Sequence, residues 1–374
     1  MKLTWWQRVA RITLTTMFIF SLAIAFNPWG LNDAQAQTER QSTLAQGDAI
    51  TDPEAILRYA LPIDNKFIRQ IQENIEQIER NLRRKRWTTI DKEVRNAAFV
   101  LDLHQDDLVK SVPDDFQPRA QEIVTSMVEN VKKLEELVAN QNKEQITLIR
   151  ADLLANITEL EEAMVTGFPF AIPEEYANLP QLLGRATVEV ETTQGNLEIV
   201  IDGYSAPITG GNFVDLVQRK FYDGLPFIRT EDYFVVQTGD PEPKGKPDGF
   251  IDPQTNEYRS IPLEILVKGE SEPIYGFTTE DLGLYLAQPV LPFNAYGAVA
   301  LARPSNDTNG GSSQFFFFKF DTEVTPPGFN LMDGRFAVFG YVTKGEDVLD
   351  KLTAEDKIIS AKVIAGAENL VEPS

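Results

Sequence analysis

From Asp48 to Thr166 apolar residues recur at intervals of three and four, and glycine is almost absent. That is the period of amphipathic helices. One stripe runs Phe67, Ile71, Ile75, Ile78 and Leu82, with Asp64 as the expected N-cap. A second runs Ile90, Val94, Ala97, Leu101 and Leu108, and Pro113 stops it. Pro118 opens a third, with Ile123, Met127, Val131, Leu134 and Val138. Asn142 caps a fourth, with Ile146, Ile149, Leu153, Ile157, Leu160 and Met164, and Gly167 ends it. A short helix near Pro53 to Tyr59 precedes them. Four helices of similar length with short connections predict an antiparallel four-helix bundle over 48–166. Pro113 and Pro118 interrupt the heptads that a long coiled coil needs.

At Gly184 the period changes from helical to alternating. Ala186 to Thr192 alternates, Gln194-Gly195 turns, and Leu197 to Ile201 returns as the second arm of a hairpin. Pro207 to Lys220 reads as a helix with Phe213, Leu216 and Val217 inward. Tyr233–Gln237, Ala298–Ala302, Ser313–Phe320, Arg335–Val342 and Lys357–Ile364 read as strands, and Asp347–Leu352 as a closing helix. Short strands with only two helices predict a closed antiparallel β-barrel capped by two helices over 184–374. The whole is an α+β chain of two domains. Between them, 167–183 is a Pro-rich linker stiffened by Pro169, Pro173 and Pro180, with Phe168, Phe170 and Tyr176 available to pack on a domain.

The first 36 residues follow neither pattern. Lys2, Arg8 and Arg11 precede an uncharged apolar run from Ile12 to Phe26, and Ala34-Gln35-Ala36 fits a cleavage site. This reads as a signal peptide over 1–36 with the mature chain beginning at Gln37; the alternative is an uncleaved anchor helix. The run is short for a membrane span, so no stable membrane insertion is expected after cleavage. Residues 37–47 read as a flexible arm. The segment predicts an exported protein, in a periplasm or in the lumen of an internal membrane.

Composition narrows the chemistry. The 374 residues include no cysteine, which excludes disulfides, thiolate metal sites and cysteine nucleophiles, and one histidine, His104, which argues against a Ser-His-Asp triad or a histidine metal cluster. The formal charge of −21 argues against nonspecific nucleic-acid binding. His104, among Asp102, Asp106 and Asp107, reads as a surface histidine, or else as a metal ligand or pH sensor. The basic run of Arg80, Arg83, Arg84, Lys85 and Arg86 is either a solvated helix end or a docking patch for an acidic surface. One such surface is residues 184–374, whose 15 basic and 29 acidic residues sum to −14.

Three stretches carry a family resemblance: FYDGLPFIRTEDYFVVQTGDP (221–241), GAVALARPSNDTNGGSSQFFF (297–317) and LMDGRFAVFGYV (331–342). In content and order they resemble the cyclophilin-type peptidyl-prolyl isomerases, over roughly residues 184–374. The signal peptide, helical domain and linker resemble the multidomain cyclophilins of the thylakoid lumen, whose helical part is similar to a four-helix extrinsic subunit of photosystem II. The resemblance implies an isomerase of X-Pro bonds with no cofactor and no metal, acting on proline-containing clients, photosystem II subunits among them. It implies that Arg229 is the catalytic arginine and that Gln237 orients it. Phe234 and Phe316 then wall the proline pocket, with Met332 and Phe336 lining it and Val235 at the neighbouring apolar position. Gln237 also bonds the substrate backbone, Gln314 is the second glutamine, and Ala302 and the backbone of Arg303 hydrogen-bond the peptide.

The sequence departs from the family's pattern at several of these positions. Ile228 stands where many members have histidine. Thr238 replaces the first glycine of a Q-G-G-D run, which is expected to shift the loop. Arg303 replaces an asparagine and either crowds the cleft or adds a charge to it. Leu331 takes the place of the tryptophan that helps bind cyclosporin, and Phe336 that of the pocket histidine. The connection from Asp240 to Tyr296 is long, and reads as an elaborated surface loop beside the site. An active isomerase, a weakly active assembly scaffold and a regulatory subunit with a bundle–barrel contact masking the cleft are the three readings the sequence leaves open.

Overall fold

The helical stripes form as the pattern predicts, and the short helix expected before them is present. The structure, a computed structural model, describes residues 49–231, 234–241, 248–253, 255–320 and 330–373. The expected signal peptide and arm lie outside the described residues. Five helices come first: α1 (Pro53–Ala60), α2 (Lys66–Arg83), α3 (Trp87–Lys110), α4 (Gln117–Ala139) and α5 (Lys143–Ala163). Helix α2 packs on α3, α3 on α4, α4 on α5, and α5 back on α2. Their inward residues, among them Ile68, Ile71, Ile90, Met127 and Leu153, form one buried core. The N-cap of α2 is Asn65 rather than Asp64. Its side chain accepts from the backbone N–H groups of Phe67 and Ile68 at 3.1 and 3.2 Å. His104 is a surface residue that stacks on Phe67, with Nδ1 2.8 Å from Asp107.

Helix α1 is not a fifth member of that packing cycle. It lies on the β part instead, against β10 (Val338–Lys344). The reason is electrostatic as well as apolar. Arg185 is buried and binds Asp202 Oδ1 at 2.8 Å, Glu162 of α5 at 3.3 Å and the carbonyl of Leu57 in α1. Arg69 of α2 donates to the carbonyls of Arg58 and Leu61, both at 2.8 Å, satisfying the end of α1. Residues 50–374 thus form one compact unit. The exposed basic run from Arg83 to Arg86 takes no part in these contacts.

The β part is a curled antiparallel sheet of eight strands. In chain order they are β2 (Arg185–Thr192), β3 (Gly195–Asp202), β4 (Arg229–Thr230), β5 (Val235–Thr238), β8 (Ala298–Leu301), β9 (Phe315–Phe318), β10 and β11 (Ile358–Ala365). Across the sheet the order is β11-β2-β3-β10-β8-β9-β5-β4. The barrel is not closed. Among the described residues, an isolated bridge, Pro226 to Lys357, and a few neighbouring hydrogen bonds are what spans the gap between its edges. Pro226 has no N–H with which to continue a ladder. Helices α6 (Pro207–Gln218) and α7 (Glu346–Lys351) accompany the sheet, and its interior is filled by Phe213, Val236, Phe315, Phe317 and Phe339, among others.

Two boundaries differ from the sequence reading. The linker ends in structure: β1 (Gln181–Leu182) pairs with β12 (Leu370–Val371), and Leu182 is fully buried in the sheet's core. The long connection is also more than a surface loop. It contains the hairpin of β6 (Glu264–Ile265) and β7 (Ile274–Tyr275), and a satellite core of Leu263, Ile265, Val267 and Ala337. Arg259 pins it to α6 through Asp215 at 2.6 Å. Glu264 accepts from Ile208 and Thr209 N–H at 3.2 and 2.8 Å, at the start of α6.

Two predictions follow from these anchors. A truncated chain beginning at Asn178 keeps β1, whereas one beginning at Gly184 loses it and the burial of Leu179 and Leu182. At about 1.5–3 kcal/mol per buried leucine, the shorter chain is expected to melt about 5–10 °C lower by calorimetry. Burial also pushes Glu264 and Glu161 up from 4.5 to about 7. Below 4.5 folded and unfolded chains both hold these protons; between 4.5 and about 7 only the folded chain does. Stability therefore falls as pH rises through that window. Denaturant titrations from pH 5 to 8 are expected to show this slope, and a shallower one in Glu264→Gln.

Candidate active site

Over β5, β8, β9 and β10 the outer face of the sheet is apolar as well. Side chains alternate along a strand, so in the run Phe315–Phe318 two rings go each way. Phe315 and Phe317 enter the interior core; Phe316 and Phe318 join an outer cluster with Val235, Phe293, Val338 and the α1 residues Ile56 and Leu57. The register then lines up one row across five strands. Arg229 of β4 pairs with Gln237 of β5, Gln237 with Phe316 of β9, Phe316 with Ala300 of β8, and Ala300 with Val338 of β10. Directly opposed residues share a face, so a guanidinium, an amide and an aromatic ring stand side by side.

The turn after Asn330 closes one side. Asp333 accepts from the N–H of Phe293 at 2.8 Å and of Asn330 at 3.2 Å, and Asn330 accepts from Met332 N–H at 3.0 Å. Burial pushes Asp333 up to about 6. These bonds hold Met332 and Phe336 against Phe316, whose ring meets that of Phe336 edge-on at 5.4 Å. Strand β10 therefore starts at Val338 instead of Arg335, because 331–335 is a turn with Gly334 at φ +76°. Leu331 on the same turn is 76% exposed. Phe234, 39% exposed, stands edge-on to Phe318 at 5.8 Å. Val235 is buried beneath it in the outer cluster.

The polar residues are arranged differently from the expectation. Arg229 Nε donates to Glu231 at 2.7 Å, and Nη2 lies 2.7 Å from the same oxygen. Gln237 instead donates to Gln314 Oε1 at 2.8 Å, and Gln314 donates to the carbonyl of Asp248 at 2.6 Å. The Ala302 N–H donates to the Gln314 carbonyl at 2.9 Å. Arg303 lies over the Phe336 ring at 5.3 Å and donates to the Arg335 carbonyl at 3.1 and 2.8 Å. It caps the pocket wall rather than standing free as a charge, and burial there lowers its pKa. The Thr238 hydroxyl donates to the Pro226 carbonyl at 2.9 Å, and the positive φ of this loop falls at Gly239. Sequence reasoning missed Glu231, Asn330 and Asp333. The signal for Glu231 was its i+2 spacing from Arg229, which puts both on one side of an extended segment.

Comparison with known proteins identifies the family. A family model for cyclophilin-type peptidyl-prolyl cis-trans isomerases matches residues 187–367, and one for a CYP38-like, PsbQ-like domain matches 52–165. A Synechocystis protein named as a thylakoid lumen peptidyl-prolyl cis-trans isomerase is 58% identical over 98% of this chain and 96% of its own length. The chain belongs to the cyclophilin-type peptidyl-prolyl cis-trans isomerases. Two Arabidopsis thaliana cyclophilins, the chloroplastic CYP38 and CYP37, are 44% and 33% identical over 89% and 86% of this chain, covering 78% and 71% of their own lengths. In this cyclophilin the apolar wall and the arginine row are both in place, while the partner of the arginine is an acid two residues along the chain.

Proposed function

We propose that the chain is an exported isomerase of X-Pro bonds in the thylakoid lumen that assists the folding or assembly of proline-containing clients, photosystem II subunits among them. The row Arg229–Gln237–Phe316 carries this reading. Rotation about an X-Pro bond meets a barrier of roughly 18–20 kcal/mol from amide resonance, and no covalent bond need form or break. A site that favours the twisted amide over either planar form lowers that barrier. Phe316, Met332 and Phe336 hold the proline ring. Gln237, Gln314 and the backbone around Ala302 and Arg303 hold the peptide. In the twisted amide the nitrogen lone pair localises and accepts a hydrogen bond from Arg229. One charge-assisted bond of this kind contributes about 1.5–3 kcal/mol, one to two decades of rate.

The lumenal assignment is supported by the signal-like segment 1–36 and by the name of the Synechocystis relative. The photosystem II client rests on the PsbQ-like description of residues 52–165. A second reading, a cyclophilin scaffold with weak turnover, is favoured by the Glu231 ion pair, which occupies the arginine in the free protein.

Arg229→Ala is expected to lower kcat/KM at least tenfold in a protease-coupled isomerase assay with little change in Tm; equal activity rejects the mechanism. Glu231→Ala is expected to raise kcat/KM about two- to fivefold, since an exposed pair contributes about 0–1 kcal/mol. The same change in an Arg229→Ala background is expected to do nothing. A parent without turnover in either peptide isomer leaves the scaffold reading.

A further inference from the structure

Residues 277–286 of the long connection present a surface that the isomerase site does not account for. Phe277, Leu282, Leu284, Tyr285 and Leu286 are all exposed, Tyr285 at 66% and Leu286 at 64%. Single exposed apolar residues are ordinary; five within ten positions mark an interaction surface. The loop is held in shape. Thr278 donates to Asp281 at 2.7 Å, Leu284 N–H to the Thr279 carbonyl at 2.8 Å, and Ala287 N–H to the Leu284 carbonyl at 3.1 Å. Ala287 packs on the satellite core that contains Ala337.

The loop is also clamped to the wall of the proline pocket. Thr279 N–H donates to the Gly334 carbonyl at 3.1 Å, and Arg335 pairs with Glu280 at 2.8 Å. Gly334 leaves no room for a Cβ against Thr279. This is the turn that carries Leu331, Met332 and Phe336, so the apolar loop and the pocket wall are one continuous piece.

We propose that loop 277–286 is a docking platform that extends the proline cleft and takes an apolar or aromatic side chain of the same extended polypeptide whose X-Pro bond enters that cleft. The proposal rests on the isomerase reading for the cleft itself. Phe336, which meets Phe316, and Gly334, which accepts from Thr279, are two residues apart, so the cleft wall and the loop form one surface along which an extended peptide can run. Continuity with the cleft favours the client over a second copy of the chain. Charge argues against an anionic lipid surface: no Lys or Arg lies between Lys268 and Arg303, while Glu280 and Asp281 sit in the loop.

The test uses the chain from Gln37 and its Tyr285→Ser/Leu286→Ser double variant. Both are titrated by calorimetry with two synthetic peptides built on one Ala-Pro core, flanked by Leu and Phe or by Ser. The parent is expected to bind the apolar-flanked peptide about tenfold tighter, as removing one apolar side chain from water implies. The double variant is expected to show less than a twofold difference, with affinity for the Ser-flanked peptide unchanged. Equal affinities in the parent, or a preference that survives in the double variant, overturn the platform. So does a dimer seen by sedimentation in the parent and lost in the variant, which assigns the loop to a second copy. Isomerase turnover of the same peptides separates the two readings. Preference without turnover keeps the platform and rejects the isomerase; turnover of both peptides without preference does the reverse.

Discussion

A strand of four consecutive phenylalanines has no polar face to offer to water. Phe315 and Phe317 are covered by the sheet's own curl. Phe316 and Phe318 need a second cover, and most of the surrounding architecture supplies it: the segment around Phe293, helix α1, and the turn from Asn330 to Phe336. On the proposed isomerase reading, the pocket beside Phe316 is the part of that outer layer left to be completed by a substrate ring, and binding a client and finishing the core are the same physical event, burial of apolar surface.

Arginines fasten the covers in place. Arg185 reaches Asp202, Glu162 and the α1 backbone, and Arg259 reaches Asp215 at 2.6 Å with its guanidinium 4.5 Å over Phe250. A planar donor fork can serve several acceptors at once, which a lysine cannot. Removing one partner of such a buried pair leaves an uncompensated charge at a cost of about 3–5 kcal/mol, so these contacts hold position even where their net contribution is small.

Much of this was legible in the sequence. The stripes of α2 to α5 and the alternation of β2, β3 and β9 depend on local period, and they appear where the period puts them. The row from Arg229 to Phe316 was reachable only through resemblance, because register between β4, β5 and β9 is a property of pairing rather than of any one segment. Three features were hidden for the same reason. Leu182 looks like linker until β12 arrives to pair with its strand. Glu231 looks like a loop acid until Arg229 folds back on it. Ile56 and Leu57 look like one more helix of the bundle, since nothing local says which apolar surface a short helix will choose.

That choice has a consequence for the order in which the molecule is built. Helix α1 is among the first elements to leave the ribosome, and its seat on β10 is among the last. Arg185, which grips it, also arrives after the entire helical part. An eight-residue helix is not stable by itself. Its contacts with Arg69 and Glu76 of α2 are available early, but its seat on β10 is filled only as a closing step, a long-range contact of the kind that slows folding. Until then the outer face at β10 is bare, and a nascent chain passes through a stage in which its own first helix and a foreign apolar segment compete for one surface.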